Sequence, residues 1–218
     1  MSLANIIIQP DCAYLVTDSG YFRPDGTIVA LHPKTMTFPE LSLAIATTGS
    51  ITCGHLAREI LKAPPSTQDA FLKRIPAIVR AAYEESGMDP VERFSYAVIA
   101  TYSRRLGRAV GYVLWTSPNE GAPGREPWRL HAVRGVRMPF IPPKAVPDAP
   151  DYTDPAYSPY RNEMAFVEVQ RRPRSSWGGV QAGCAVAGDI ELTAVSRTGI
   201  ETTTLHTYPD EVGRTAAA

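Results

Sequence analysis

Cysteine is scarce in this chain. Cys12, Cys53 and Cys184 are far apart, odd in number and form no CxxC pair, which argues against a disulfide framework or a zinc knuckle and for a reducing compartment. Long apolar runs are missing as well. The longest, such as Ile6-Ile7-Ile8 and Tyr96-Ala97-Val98-Ile99-Ala100, fall far short of the roughly 20 residues that span a bilayer. No transmembrane helix and no membrane partner are expected. The N-terminus has neither a basic n-region nor a long apolar stretch, so the expectation is a cytoplasmic protein without a secretory signal that starts at Met1. Net charge is absent too: 22 Lys+Arg balance 22 Asp+Glu, which argues against a dedicated nucleic-acid or polybasic-membrane binder. His32, His55, His131 and His206 show no HxH or HExxH spacing. Asp148, Asp151 and Asp154 lack the glycine and terminal Glu of a calcium loop. Neither a metal nor a cofactor is expected, and no GxGxxG, P-loop or GxSxG fingerprint occurs.

What the chain does hold is core material. At 44% hydrophobic and 20% charged it reads as one globular domain, residues 1–212, followed by a frayed tail at 213–218. The first fifty residues alternate apolar runs with turn formers and predict strands. Ala4 to Ile8 and Cys12 to Thr17 form a hairpin across Gln9-Pro10-Asp11. Thr27 to Leu31 and Thr35 to Phe38 form another around His32-Pro33-Lys34, and Leu41 to Thr47 is a fifth, buried strand.

After Gly49 the period changes from 2 to 3.6. Cys53, Leu56, Ala57, Ile60 and Leu61 trace the stripe of an amphipathic helix closed by Pro64-Pro65. A second helix is capped by Ser66, kinked at Pro76 and stopped at Gly87. Strands follow at Phe94 to Tyr102, Arg108 to Trp115 and Trp128 to Val133. Seven prolines between Met138 and Pro159 leave a long loop or arm over 138–159, anchored by Phe140, Tyr152, Tyr157 and Tyr160. Asn162 to Arg172 has both helix and strand character. Val180 to Ala194 and Glu201 to Thr207 make a final hairpin. Strands, two helices, strands, a helix and strands again indicate an α+β fold of antiparallel sheets covered by helices. The arginines at 104, 105, 108, 125, 129, 134 and 137 read as a solvated face, or more sharply as a docking patch for an acidic partner or a neighbouring subunit.

Chemistry gathers at the start of the chain. With the first turn centred near Pro10, paired positions sum to about 20, which sets Ser2 beside Asp18. Lys34, at the tip of the next hairpin, is one of four lysines beside eighteen arginines. Removal of Met1 would give Ser2 a free α-amine with an ordinary pKa of ~7.7–8.0. That amine can serve as general base for the hydroxyl of its own residue. Asp18 would orient the network, and Lys34 would lower the basicity of neighbouring amines and stabilise an alkoxide. Gly49, at the strand-to-helix junction, offers a backbone N–H to an oxyanion.

Ser2, Asp18-Ser19, Lys34 and Gly49 followed by a helix resemble the N-terminal-nucleophile hydrolases, specifically proteasome β subunits and their bacterial proteasome-like relatives. The steps Ser2 to Asp18 and Asp18 to Lys34 are sixteen residues each, the same count as in that family, and Gly49 comes about one residue later than the family's oxyanion glycine. Ser175-Ser176-Trp177-Gly178-Gly179 is similar to the family's Asp-x-x-Ser-Gly-Gly segment, with Arg174 where the Asp belongs and Trp177 where the second Ser belongs. Ser175 and Ser176 are the substitutes the resemblance offers. It implies a four-layer α-β-β-α sandwich of two antiparallel sheets, cleavage of a peptide or other amide bond by Ser2, and assembly into rings or other homo-oligomers. The alternative is a catalytically silent structural or assembly protein that keeps the fold, for example a component of a phage or phage-like particle, which would place it in a virion. A self-processing amidase acting on a small molecule differs only in the lining of the pocket.

Overall fold

The computed structural model describes residues 3–23, 25–49, 51–87, 95–117, 126–138, 146, 152, 154, 156–172 and 186–216. Twelve strands and three α-helices follow the order β1 (Ala4–Ile8), β2 (Cys12–Asp18), β3 (Gly20–Phe22), β4 (Ile28–Leu31), β5 (Thr35–Phe38), β6 (Leu43–Thr48), α1 (Cys53–Lys62), α2 (Gln68–Glu85), β7 (Tyr96–Ser103), β8 (Arg108–Trp115), β9 (His131–Val133), β10 (Gly135–Met138), α3 (Pro159–Arg171), β11 (Asp189–Ser196) and β12 (Gly199–Thr207) among the described residues. The fold is α+β, as expected. Two five-stranded sheets, β10-β1-β2-β11-β12 and β5-β6-β7-β8-β9, are joined by a small pair, β3-β4. Among the described residues every strand pairing is antiparallel. None of the helices is long and apolar enough to cross a membrane.

The strand periodicity explains the stacking. On β1 and β2, Ala4, Ile6, Ala13 and Leu15 point into one cluster with Ala44, Ala46, Val98, Ala100 and Val113 of the other sheet. Their sequence neighbours Leu3, Ile7 and Val16 point the opposite way, to Phe166 and Val167 of α3. On the second sheet, Leu43, Ile45, Ala97 and Ile99 turn outward to Leu56, Ile60, Phe71, Ile75 and Val79 of α1 and α2. Strands buried on both faces carry apolar residues at successive positions, which is why β6 and β7 read as continuous apolar runs.

Small residues let the two sheets come close. A Cβ on Gly111 would stand 2.5 Å from Cδ1 of Ile8 and 2.8 Å from Cδ1 of Ile6. Gly111→Val is therefore expected to lose about 1–3 kcal/mol of stability through overpacking. A urea titration would show a lower midpoint at unchanged slope.

Several sequence expectations shift. The first hairpin pairs Ala4 with Thr17 and Ile8 with Ala13, a sum of 21 rather than 20, because the Gln9 N–H bonds to the Cys12 carbonyl and the turn takes in four residues. The strands flanking His32-Pro33-Lys34 do not pair with each other: β4 pairs with β3, and β5 with β6. Residues 32–34 are thus a crossing between sheets and not a hairpin tip. Helix α2 is capped by Thr67, whose hydroxyl accepts from the Ala70 N–H at 3.2 Å, one residue after Ser66. Pro76 lies inside α2 without ending it, and Gly87 follows with φ +67°. The helix expected from Asn162 begins at Pro159, where proline at the first turn presets φ. Of the strand expected over Val180 to Ala194, residues 180–185 lie outside the described residues, and β11 begins at Asp189, just after Gly188 adopts φ +71°.

The 138–159 segment is tied down where it is described: Tyr157 is buried and Tyr152 packs on the α3 cluster. Phe140 lies outside the described residues. At the other end of the chain, residues 213–215 lie against the start of β4. The Gly213 N–H bonds to the Ile28 carbonyl and the Ile28 N–H to the Arg214 carbonyl, both at 2.8 Å, and Thr27 bridges Thr215.

Candidate active site

The end of β2 carries the densest polar arrangement. The Asp18 side chain is fully buried and meets four donors. Its Oδ1 accepts from the Leu3 N–H at 2.8 Å and from Lys34 Nζ at 2.6 Å. Its Oδ2 accepts from the Gly20 and Ala187 N–H groups, each at 3.1 Å. A carboxylate holds about four lone-pair positions, and here each is met by a donor. The Asp18 carboxylate thus anchors Lys34 and three backbone N–H groups at one point.

Lys34 owes its burial to the sheet crossing. Between β4 in the small sheet and β5 in the second large sheet, the chain turns inward, and Lys34 is 1% exposed. The Thr17 and Thr35 hydroxyls, 3.2 Å apart, join β2 to β5 beside it. Its ammonium lies 5.2 Å from the Tyr21 ring centroid and 5.9 Å from that of Phe22. Burial pushes the Lys34 ammonium below the ordinary lysine value, and the adjoining Asp18 carboxylate pulls the other way.

The Cys53 thiol closes the same corner from α1, donating to the Lys34 carbonyl at 2.9 Å. Burial raises its pKa to about 11, against the lowering pull of Tyr21 and Lys34. Burial likewise raises the Tyr21 phenol, which sits beside Cys53. A thiol held in that state is a packing group and not a nucleophile at neutral pH.

Gly49 ends β6, is exposed and takes φ +85°. Helix α1 starts four residues later behind Thr52, which forms a capping box with His55: the His55 N–H bonds to the Thr52 hydroxyl at 3.3 Å and the Thr52 N–H to His55 Nδ1 at 3.2 Å. This gives His55 a capping role.

Of the six site residues named from the sequence, Asp18 and Lys34 come into direct contact, Gly49 stands at the strand-to-helix junction, and Ser2, Ser175 and Ser176 lie outside the described residues. Three groups were missed: the N–H groups of Leu3, Gly20 and Ala187 that saturate Asp18. The Ala187 contact was hidden by reading 180–194 as one strand. The signal that would have revealed it is Gly188, a turn former directly before the strand.

No protein-family model and no curated protein matches the chain. Among solved structures it is similar to the Anbu (Gly-1) mutant from Hyphomicrobium sp. strain MC1, with 9% identity, a TM-score of 0.56, and coverage of 97% of this chain and 90% of that chain. Anbu is a bacterial proteasome-like protein, and at such identity the likeness is one of fold. The chain has a proteasome-like fold.

Proposed function

We propose that this chain is a proteasome-like N-terminal serine hydrolase that cleaves an amide bond, most simply a peptide bond, once Met1 has been removed. The observation that carries the proposal is that one buried oxygen, Asp18 Oδ1, holds both Lys34 Nζ and the backbone N–H of Leu3. Leu3 is one peptide bond from Ser2, so covalent geometry keeps the Cα atoms of the two residues ~3.8 Å apart. The anchor therefore ties the start of the chain to a buried ammonium.

In this reading the α-amine of Ser2 takes the proton from its own Oγ, and Oγ attacks the substrate carbonyl. The tetrahedral oxyanion is received by the Gly49 N–H. The amine then returns the proton to the leaving nitrogen, and the C–N bond breaks to leave an ester on Ser2, which water hydrolyses by the same relay. Lys34 favours the alkoxide form of Ser2 and disfavours protonation of nearby amines. Ser175 and Ser176 are the proposed supports of that amine. The three hydrophobic clusters suit a four-layer α-β-β-α stacking over residues 1–212, and a net charge of zero suits assembly into a homo-oligomer without self-repulsion.

Ser2→Ala tests the proposal. An acylating β-lactone probe is expected to label the wild-type protein at Ser2, faster as pH rises to the point where the amine loses its proton, below the ordinary ~7.7–8.0 because of Lys34, and to leave Ser2→Ala unlabelled. Equal labelling of the two proteins would remove Ser2 from the reaction.

A second reading, a silent assembly protein with the same fold, for example of a phage-like particle, draws on Arg174 and Trp177, where the family pattern has Asp and Ser. In that case the wild-type protein would not be labelled at Ser2 at all.

A further inference from the structure

A second network reaches the candidate site from behind. Arg171, the last residue of α3, is buried and grips Asp210 with two prongs, Nη1 to Oδ2 at 3.0 Å and Nη2 to Oδ1 at 2.9 Å. The two side chains are 7% and 2% exposed. The guanidinium also lies 3.7 Å from the Tyr208 ring centroid and donates to the Val186 carbonyl.

Asp210 passes the grip on. Its Oδ2 accepts from the Gly188 N–H at 3.0 Å, and the Gly188 carbonyl accepts from the Tyr208 N–H at 3.0 Å. Residues 186–188 are thus held from both sides. Gly188 has φ +71°, and a Cβ there would collide with Ser19 Oγ and stand 2.9 Å from Leu31 Cδ2. Ser19 in turn accepts from the Asp189 N–H at 2.9 Å, and its own N–H bonds to the Ala187 carbonyl at 3.2 Å. The residue at the centre of this clasp, Ala187, gives its N–H to Asp18 Oδ2. The path Arg171, Asp210, Gly188, Ala187, Asp18, Lys34 runs through hydrogen bonds and the single peptide bond between Ala187 and Gly188.

We propose that Arg171 and Asp210 are positioning residues for the hydrolytic site, clamping residues 186–188 so that the Ala187 N–H fixes the Asp18 carboxylate and, through it, Lys34. The inference rests on the Ser2 hydrolase reading for its effect on rate. Its effect on Lys34 stands apart from that reading. Two-pronged arginine contacts set orientation as well as energy, and a short segment held at Val186 and Gly188 has little freedom to shift between them. Release of the clamp takes one donor from Asp18 and admits water to Lys34. Both changes favour the charged ammonium. The groups facing Lys34 are Asp18 from β2, Tyr21 from β3 and Cys53 from α1, and a substitution at residue 210 replaces none of them.

The test uses Asp210→Asn and Arg171→Lys in the full chain, with Glu211→Gln as the control, since Glu211 pairs with Arg214 in the open on the same tail, where the two side chains are 65% and 76% exposed. With four lysines in the chain, the Lys34 Nζ signal can be assigned in a 15N-lysine NMR spectrum and titrated. In Asp210→Asn, Lys34 is expected to titrate at higher pH than in wild type, and β-lactone labelling of Ser2 is expected to slow by about tenfold, within the ~100-fold loss that an ångström of misplacement brings. Arg171→Lys keeps the charge and loses the fork. It carries the same expectation and serves if Asp210→Asn does not fold. Glu211→Gln is expected to match wild type in both measurements. A lowered melting temperature with an unchanged Lys34 titration would overturn the proposal and leave an ordinary structural ion pair. If wild-type Ser2 is not labelled, the hydrolase reading fails, and the Lys34 titration alone decides the clamp.

Discussion

Asp18→Asn is expected to lower the stability of the fold by about 3–5 kcal/mol, because it leaves the Lys34 ammonium buried without its counter-charge. Asp18 and Lys34 are shielded to 0% and 1% side-chain exposure, so solvent screening does not discount that figure. The amide that replaces the carboxylate must also turn its NH2 group toward the donors of either Oδ1 or Oδ2, which adds repulsion where two hydrogen bonds stood.

The loss has a pH signature whose sign can be worked out. In the wild type, burial lowers the Lys34 pKa and Asp18 pulls it back up. In Asp18→Asn that counter-pull is gone, so the folded-state value falls further below the unfolded one. Between the variant's folded pKa and the wild-type's, the unfolded chain of the variant binds a proton that its folded form does not. Its stability therefore rises with pH there, while the wild type stays flat. The gap between the two proteins is expected to be widest below this window and to narrow as pH climbs through it toward the ordinary lysine value. Urea titrations at several pH values check this. A gap that is constant with pH would mean that the lost stability comes from hydrogen bonding and not from the charge of Lys34.

The second large effect is expected at Glu163, under α3. This carboxylate is fully buried and accepts from Arg137 Nη2 at 2.6 Å, from the Tyr157 hydroxyl and from Asn5 Nδ2 at 3.0 Å. Asn5 exchanges a further pair of hydrogen bonds with Gln170, both 2.9 Å, and its Oδ1 accepts from the Met138 N–H at 3.1 Å. The network joins β1, β10, α3 and the proline-rich segment. Glu163→Ala is expected to destabilise by about 3–5 kcal/mol, since it strands the Arg137 guanidinium, whose Nε has no partner among the described residues. Glu163→Gln keeps an acceptor without the charge and is expected to fall between alanine and wild type. The Tyr157 phenol, raised by burial and then by Glu163, is expected to titrate nearer the ordinary tyrosine value in Glu163→Ala, readable by ultraviolet absorbance. Equal stability of alanine and wild type would show that the network specifies geometry without contributing net energy.

Much of the fold was legible because it rests on local periodicity. The two-sided apolar runs of β6 and β7, the helical stripe from Cys53 and the alternation on β1 and β2 each announce which faces are buried. Turn chemistry was less legible. A hairpin with four residues in its turn shifts the register by one, enough to put Leu3 where Ser2 was expected beside Asp18. Lys34 was found by its spacing from Asp18 and misplaced in its surroundings. After a proline at the end of a strand, an exposed hairpin tip and a buried sheet crossing look alike in sequence, and tertiary pairing of β4 with β3 and β5 with β6 decides between them.

Contacts made across long separations left no trace at all. Asn5 meets Glu163 and Gln170 because α3 packs on the face of β1 that Leu3 and Ile7 share, and Asp18 meets Ala187 because β2 lies beside β11 in one sheet. A single sequence carries no local signal of that adjacency. The same holds for Arg171 and Asp210, which read separately as a helix-end arginine and a tail aspartate.

One measurement bears most directly on the hydrolase reading: the intact mass of the purified full chain before and after incubation with an acylating β-lactone probe, with the adduct located by peptide mapping. The expected result is a chain that begins at Ser2 and gains one probe mass on that residue. A chain that retains Met1, or one that begins at Ser2 and gains nothing there, would contradict it.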